Sequence, residues 1–256
     1  MLKRIATCLC ILLGPAVVFS SHADQNSASR VELRSDSSQT VNAGKVTFTF
    51  QLIDHQTNAA VTDADLMMMN ERILHLFAYD PALKEFQHVH PEYDGKHWSV
   101  DLNFAVNGNY WIWSQGELMN GNEDFSSSTR LLVQDGQDAW PAPPKLSDVR
   151  MGSDGISTAQ LDDTQLVAGE MSMLMVTLGR NDGSQPENTP YLGAFAHVVA
   201  TPLEGDSLTH VHPMDGDTPN VGMVHMMFPT AGFYRVWIQF MDGGQLRVVP
   251  LAVEVH

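Results

Sequence analysis

The chain has 256 residues, with 14 Lys or Arg against 30 Asp or Glu, and a formal charge of −16 when its histidines are neutral. So acidic a chain repels a polyanion, and with no basic stripe to offset the acidity a nucleic-acid role is excluded. Its two cysteines, Cys8 and Cys10, lie in the apolar N-terminal run, so the rest of the chain has no disulfide, thiolate metal site or thiol nucleophile.

The chain opens with Lys3 and Arg4, continues as an apolar run from Ile5 to Phe19, and reaches small residues at Ser21 and Ala23. A basic start, an apolar core too short to span a bilayer and a small-residue cleavage site predict a signal peptide over residues 1–23. Cleavage after Ala23 removes Lys3 and Arg4, leaving 12 basic and 30 acidic residues and a charge of −18. The expected product is periplasmic or secreted, with no membrane span once the leader is cut. Residues 24–38 read as a flexible N-terminal segment.

From residue 39 the chain says one thing twice. Gln39 to Gly44 matches Gln165 to Gly169, His75-Leu76-Phe77-Ala78 matches His197-Val198-Val199-Ala200, and His88-Val89-His90-Pro91 returns as His210-Val211-His212-Pro213. Phe104, Gly108, Tyr110 and Trp113 line up with Phe228, Gly232, Tyr234 and Trp237. The repeats are assigned to residues 39–134 and 150–256. Between them, residues 135–149 carry Pro141, Pro143 and Pro144, which suit an extended linker.

Within each repeat the apolar period is two. Phe48, Phe50 and Leu52 alternate with Thr47, Thr49 and Gln51, Trp98 to Phe104 alternates likewise, and Tyr234, Val236, Ile238 and Phe240 form another stripe. Short strands separated by Gly, Pro, Asn and Asp predict an all-β chain of two tandem antiparallel β-sandwiches, immunoglobulin-like or cupredoxin-like. One helical turn is expected within Ala64 to Arg72. Laid against Val46, Phe48 and Phe50, the residues Met171, Met173 and Met175 are expected in the core. Val224, Met226 and Phe228 align with Val100, Leu102 and Phe104, which turns Met223, His225 and Met227 outward.

Two histidines at i and i+2 on a strand share a face about 7 Å apart, close enough to converge on one ion if a neighbouring strand adds a third donor. The first repeat offers His75, His88 and His90, the second His197, His210 and His212. Imidazole suits copper or zinc, and thioether sulfur from Met214 and Met223 beside His225 suits Cu(I). The opposing reading stands beside it: histidines at a strand end also satisfy turn carbonyls or pack on aromatic rings such as Phe86. In the first repeat Asp101 replaces His225, and Glu92, Asp94 and His97 surround the motif with harder donors.

The segments Tyr191-Leu192-Gly193-Ala194-Phe195-Ala196-His197, Leu208 to Pro213 and Phe228 to Trp237 resemble the bacterial secreted or periplasmic HVHP β-sandwich module associated with heavy-metal transport, and more distantly YtkA-like proteins. That resemblance implies an exported sandwich with a metal association carried by His197, His210 and His212, with His225 as a further candidate. The first repeat departs from it, having Glu71-Arg72-Ile73-Leu74 before His75. The sequence holds no catalytic fingerprint, so a non-enzymatic metal carrier, buffer or resistance protein is expected, its partners a metal ion and a metal-transport or other envelope protein. The alternative is a protein-interaction module whose histidines are structural.

Overall fold

The computed structural model describes residues 29–35, 39–141, 146–204, 206–216 and 218–256; the expected signal peptide and both cysteines lie outside them. The first module comprises β1 (Val31–Ser35), β2 (Thr40–Asn42), β3 (Gly44–Asp54), β4 (Ala59–Ala60), β5 (His75–Tyr79), β6 (Phe86–Val89), β7 (Glu92–Tyr93), β8 (Trp98–Phe104), β9 (Gly108–Leu118) and β10 (Glu123–Gln134). The second comprises β11 (Met151–Ser153), β12 (Ser157–Leu161), β13 (Met171–Arg180), β14 (Asn188–Thr189), β15 (His197–Pro202), β16 (Thr209–Val211), β17 (Met214–Asp215), β18 (Val221–Met227), β19 (Gly232–Asp242) and β20 (Gln245–Val255). Among the described residues no helix is long and apolar enough to cross a membrane.

In the first module one sheet runs β1-β3-β8-β7 and the other β2-β10-β9-β5-β6, with β2 parallel to β10 and the other pairings antiparallel. The second repeats the plan with β12-β13-β18-β17 opposite β20-β19-β15-β16. This is the immunoglobulin-like arrangement of two Greek-key sheets. A tyrosine corner marks each copy: the Tyr110 hydroxyl, which donates to the Glu85 carboxylate, lies 3.2 Å from the Val106 carbonyl, and the Tyr234 hydroxyl donates to the Thr230 carbonyl at 2.9 Å. Alternating residues fill the two cores, Phe48, Phe50, Leu52, Leu102 and Phe104 in one, Leu174, Val176, Leu178, Val224 and Phe228 in the other.

Three sequence expectations are corrected. Residues 24–38 are not wholly a flexible N-terminal segment, because β1 pairs along β3 and buries Val31 and Leu33 in the core. The helical turn begins one residue before the expected segment, as a single 3-10 turn at Asp63–Asp65, with Met69 and Arg72 bridged beyond it.

The third correction is larger. Met171 and Met173 are 50 % and 53 % exposed, and the residues that face the core from β13 are Ser172, Leu174, Val176 and Leu178. One more residue separates the turn glycine from the strand in the second repeat than in the first, since Gly44 itself pairs with Phe104 whereas the amide of Gly169 bonds Phe228 and Met171 begins the ladder one step later. A slip of one residue reverses every side chain of a strand.

The two modules pack through the sheets that carry the histidines. On β5, Leu76 and Ala78 enter the module core while His75, Phe77 and Tyr79 face the other module; on β15, Val198 and Ala200 enter the core while His197, Val199 and Thr201 face back. Phe77, Tyr79, Leu83 and Trp113 of the first module close on Val199, Leu208 and Trp237 of the second as a separate apolar cluster. Every residue of β5 and β15 is therefore buried, which explains their lack of polar alternation.

Candidate metal centre between the modules

The sequence offers a triad per repeat; the fold merges the two. His75 and His197 begin the neighbouring strands β5 and β15, His88 and His210 lie opposite Phe77 and Val199 on β6 and β16, and His90 and His212 follow two residues later at the strand ends. Both faces point at the module interface, so six imidazoles meet there. Contacts cross it reciprocally: His75 lies 5.0 Å from His210, and His88 lies 5.1 Å from His197, between ring centroids. His88 and His210, the same position in each repeat, are 5.1 Å apart. Equivalent residues meeting across an interface is the geometry of a two-fold axis.

Hydrogen bonds fix the tautomers. In the second module His197 Nε2 is 3.0 Å from the Tyr191 carbonyl, which only accepts, so this nitrogen holds the proton and Nδ1 accepts from His210 Nε2 at 3.1 Å. His210 Nδ1 is left with a lone pair. In the first module His88 Nδ1 donates to Gln239 Oε1 across the interface at 2.8 Å, so His88 Nε2 accepts from His75 Nδ1 at 3.0 Å and the lone pair falls on His75 Nε2. The two relays run in opposite directions. Met69, the counterpart of Tyr191, brings its backbone up to His75, where it partly offsets the lowering that burial imposes on this ring.

Three ring nitrogens are buried with no hydrogen-bond partner: His75 Nε2, His90 Nε2 and His212 Nε2. Buried polar atoms are usually paired, and each unpaired one costs about 1–3 kcal/mol, so three in one centre call for a ligand. Donor nitrogens of His75, His88 and His90 all lie within 4.8 Å of one another, and so do those of His88, His197 and His210. His88 belongs to both groups.

Every ring in the centre is held neutral. Burial, and then the neighbouring His197, pushes His75 down to about 4. Burial lowers His90 and His212 to about 3, with His75 and His197 adding to the effect, and it drives His88 and His210 well below the ordinary imidazole range. His197 is lowered by burial and supported by its bond to Tyr191. Neutral imidazoles with lone pairs are metal ligands without further deprotonation.

A cleft of about 580 Å³ reaches the centre from outside, lined among others by His88, His90, Arg72, Glu92, Asp101 and Tyr191. At this cleft Glu92 and Asp101 stand beside the cationic Arg72, and Asp101 is already paired with Lys45.

The structure splits the second repeat's expected ligands in two: His225, Met223 and Met214 lie on the outer face of β18 and β17, in the sheet across the sandwich from β15 and β16, away from His197, His210 and His212. Of the harder donors, Asp101 is tied to Lys45 at 2.8 Å and Thr47 at 2.7 Å, and Asp94 caps the amides of Lys96 and His97. Gln239, which orients His88 from the other module, was not singled out from sequence. Its place beside Trp237 on an outward-facing strand position, opposite His197 in register, is the signal that could have found it.

Fold and centre together define a tandem immunoglobulin-like protein with a histidine cluster between its modules. The chain belongs to the family described as "Domain of unknown function (DUF8832)", whose pattern matches it twice, over residues 23–129 and 151–256. No curated protein matches. Among solved structures it is similar to a chimeric titin Z1Z2-Z1Z2 tandem at 12 % identity, covering 90 % of this chain and 100 % of that one with a TM-score of 0.22. Fibronectin(III)-like modules of Clostridium thermocellum CbhA align at 11 % identity over 88 % of this chain and 94 % of theirs, with a TM-score of 0.24.

Proposed function

We propose that this protein binds a transition-metal ion, copper in the first instance, in the histidine centre between its modules, and serves outside the cytoplasm as a non-catalytic carrier, buffer or resistance protein. The observation that carries the reading is the set of buried, unpartnered nitrogens on His75, His90 and His212, within a cluster of neutral imidazoles. Residues present fit such an ion: an all-nitrogen donor set suits Cu(I), Cu(II) or Zn, and no thiolate competes. His75 and His90, whose donor nitrogens lie within 4.8 Å of one another and of those of His88, would supply nitrogens directly, with His88, His197, His210 and His212 either binding or orienting their neighbours. The acidic chain as a whole favours cation capture. Export and a metal-transport or envelope partner rest on the N-terminal sequence and the HVHP resemblance.

A second reading has its own observation. Phe77 stacks on His88 at 4.5 Å, and the His75–His88 and His197–His210 hydrogen bonds already join neighbouring strands, so the cluster also serves as interface packing in a protein-interaction module.

His90→Ala with His212→Ala separates the two, because neither ring takes part in those imidazole–imidazole bonds. Titration of the full chain and this variant with Cu(I), Cu(II) and Zn should show a stoichiometric ion in the parent and a loss greater than the roughly 10–100-fold typical of removing an outer-shell partner. Absence of any ion in the parent, with stability the only property affected by the substitutions, supports the structural reading.

A further inference from the structure

The outer face of β13, β18 and β17 is a grid of sulfur. Register places Met171 opposite Met227, Met173 opposite His225, and Met175 opposite Met223, which in turn lies opposite Met214 on the edge strand. Six thioethers and one imidazole thus share a face, with Met171, Met173 and Met214 exposed by 46 % or more. The fold does not demand this. In the first module the same face pairs Lys45 with Asn103, Thr47 with Asp101 and Thr49 with Ser99, all polar. A contiguous exposed apolar face on a soluble sheet marks a function, and methionine is a poor choice for a solvent-facing strand unless its sulfur is used.

We propose that this face is a second metal site, specific for a soft monovalent ion such as Cu(I), with the row Met175, Met223 and Met214 as its three-sulfur centre and Met173 and His225 as flanking donors. Opposite side chains on paired strands stand about 4.5–5.5 Å apart at Cβ, and the unbranched methionine side chain has the freedom to bring sulfur atoms together around one ion. Thioether sulfur selects Cu(I) over harder divalent ions. The row also ends beside the histidine centre in the chain, since Met214 follows His212 by two residues, at most about 7 Å of backbone. The site does not depend on the histidine centre being a metal site.

The test uses the full chain under anaerobic, reducing conditions, with Cu(I) distributed between the protein and a chromophoric Cu(I) chelator, and with Ag(I) as a diamagnetic probe of the methionine methyl resonances. In the His90→Ala/His212→Ala background one Cu(I) equivalent should remain, and Met175→Leu, Met223→Leu and Met214→Leu together should remove it. Methionine to leucine conserves volume, and these positions lie outside the core, so the folded state should persist and circular dichroism checks that it does. Ag(I) should shift the methyl signals of Met175, Met214 and Met223, while Zn should leave them in place. Unchanged Cu(I) stoichiometry and affinity in the leucine variant overturns the proposal, as does unresponsiveness of those methyl signals to Ag(I), which would leave the face to a protein partner.

Discussion

The Tyr79 hydroxyl donates to Thr201 Oγ1 at 3.0 Å, and the two residues occupy the same position in the two repeats. The donor is Tyr79 because Thr201 spends its own proton on the Ser207 carbonyl at 2.9 Å, and the Tyr79 oxygen accepts from Trp113 Nε1 at 3.0 Å. A residue bonded to its own counterpart sits on the pseudo-two-fold axis, so this pair is the pivot on which the histidines of both modules are superposed.

Tyr79→Phe is therefore expected to cost about 1–3 kcal/mol, because it strands the buried Trp113 N–H. Denaturant unfolding measures it. The parent should unfold in one transition through its desolvated interface, and two resolved transitions in the parent would show that the modules fold independently.

His88→Ala removes a ring that bonds His75 and Gln239 and stacks on Phe77. Lost packing and two stranded polar groups should together cost about 2–5 kcal/mol, whether or not metal is added. A loss below about 1 kcal/mol in denaturant melts would mean that the interface closes without this ring.

The metal-free protein should be acid-labile across a defined window. The unfolded chain takes up protons at its histidines below about pH 6.5, whereas folded His75 does so only near 4, and His90 and His212 near 3. Stability is thus full above pH 6.5 and falls as the pH drops from there toward 3, since the unfolded state then binds more protons. Melting temperatures at pH 7.5, 6, 5 and 4 check this, and a flat profile between pH 7.5 and 5 would contradict burial of the cluster.

Asp242 anchors the far end of β19. It accepts from Arg180 at 2.5 Å, Ser157 at 2.9 Å and the Glu187 amide at 3.0 Å, and the Arg180 guanidinium beside it lowers its carboxyl to about 2. Asp242→Ala should cost about 1–3 kcal/mol, chiefly by leaving the Ser157 hydroxyl and the Glu187 amide unpaired, with metal stoichiometry unchanged. Calorimetry with metal titration of the same sample checks both halves.

Strand alternation made the sandwich class legible, and the HVHP recurrence pointed at His75, His88, His90, His197, His210 and His212 before any fold was known. The same alternation turned Met223 and His225 outward correctly. It failed at Met171, Met173 and Met175 because a repeat alignment carries no information about one extra residue after a turn, and a strand's period of two converts that single residue into the opposite face.

By itself the sequence determined that there are two copies of one all-β module, which residues recur in both, and that the chain beyond Cys10 lacks cysteine and is strongly acidic. Only the tertiary structure decided that the two triads form one centre, that Gln239 of one module orients His88 of the other, and that the methionines occupy a separate face. The physical reason is that strand period reports which residues share a face, while the partner of that face is chosen by packing between modules, through contacts such as Tyr79 with Thr201 and Phe86 with Trp237 that lie more than a hundred residues apart in the chain.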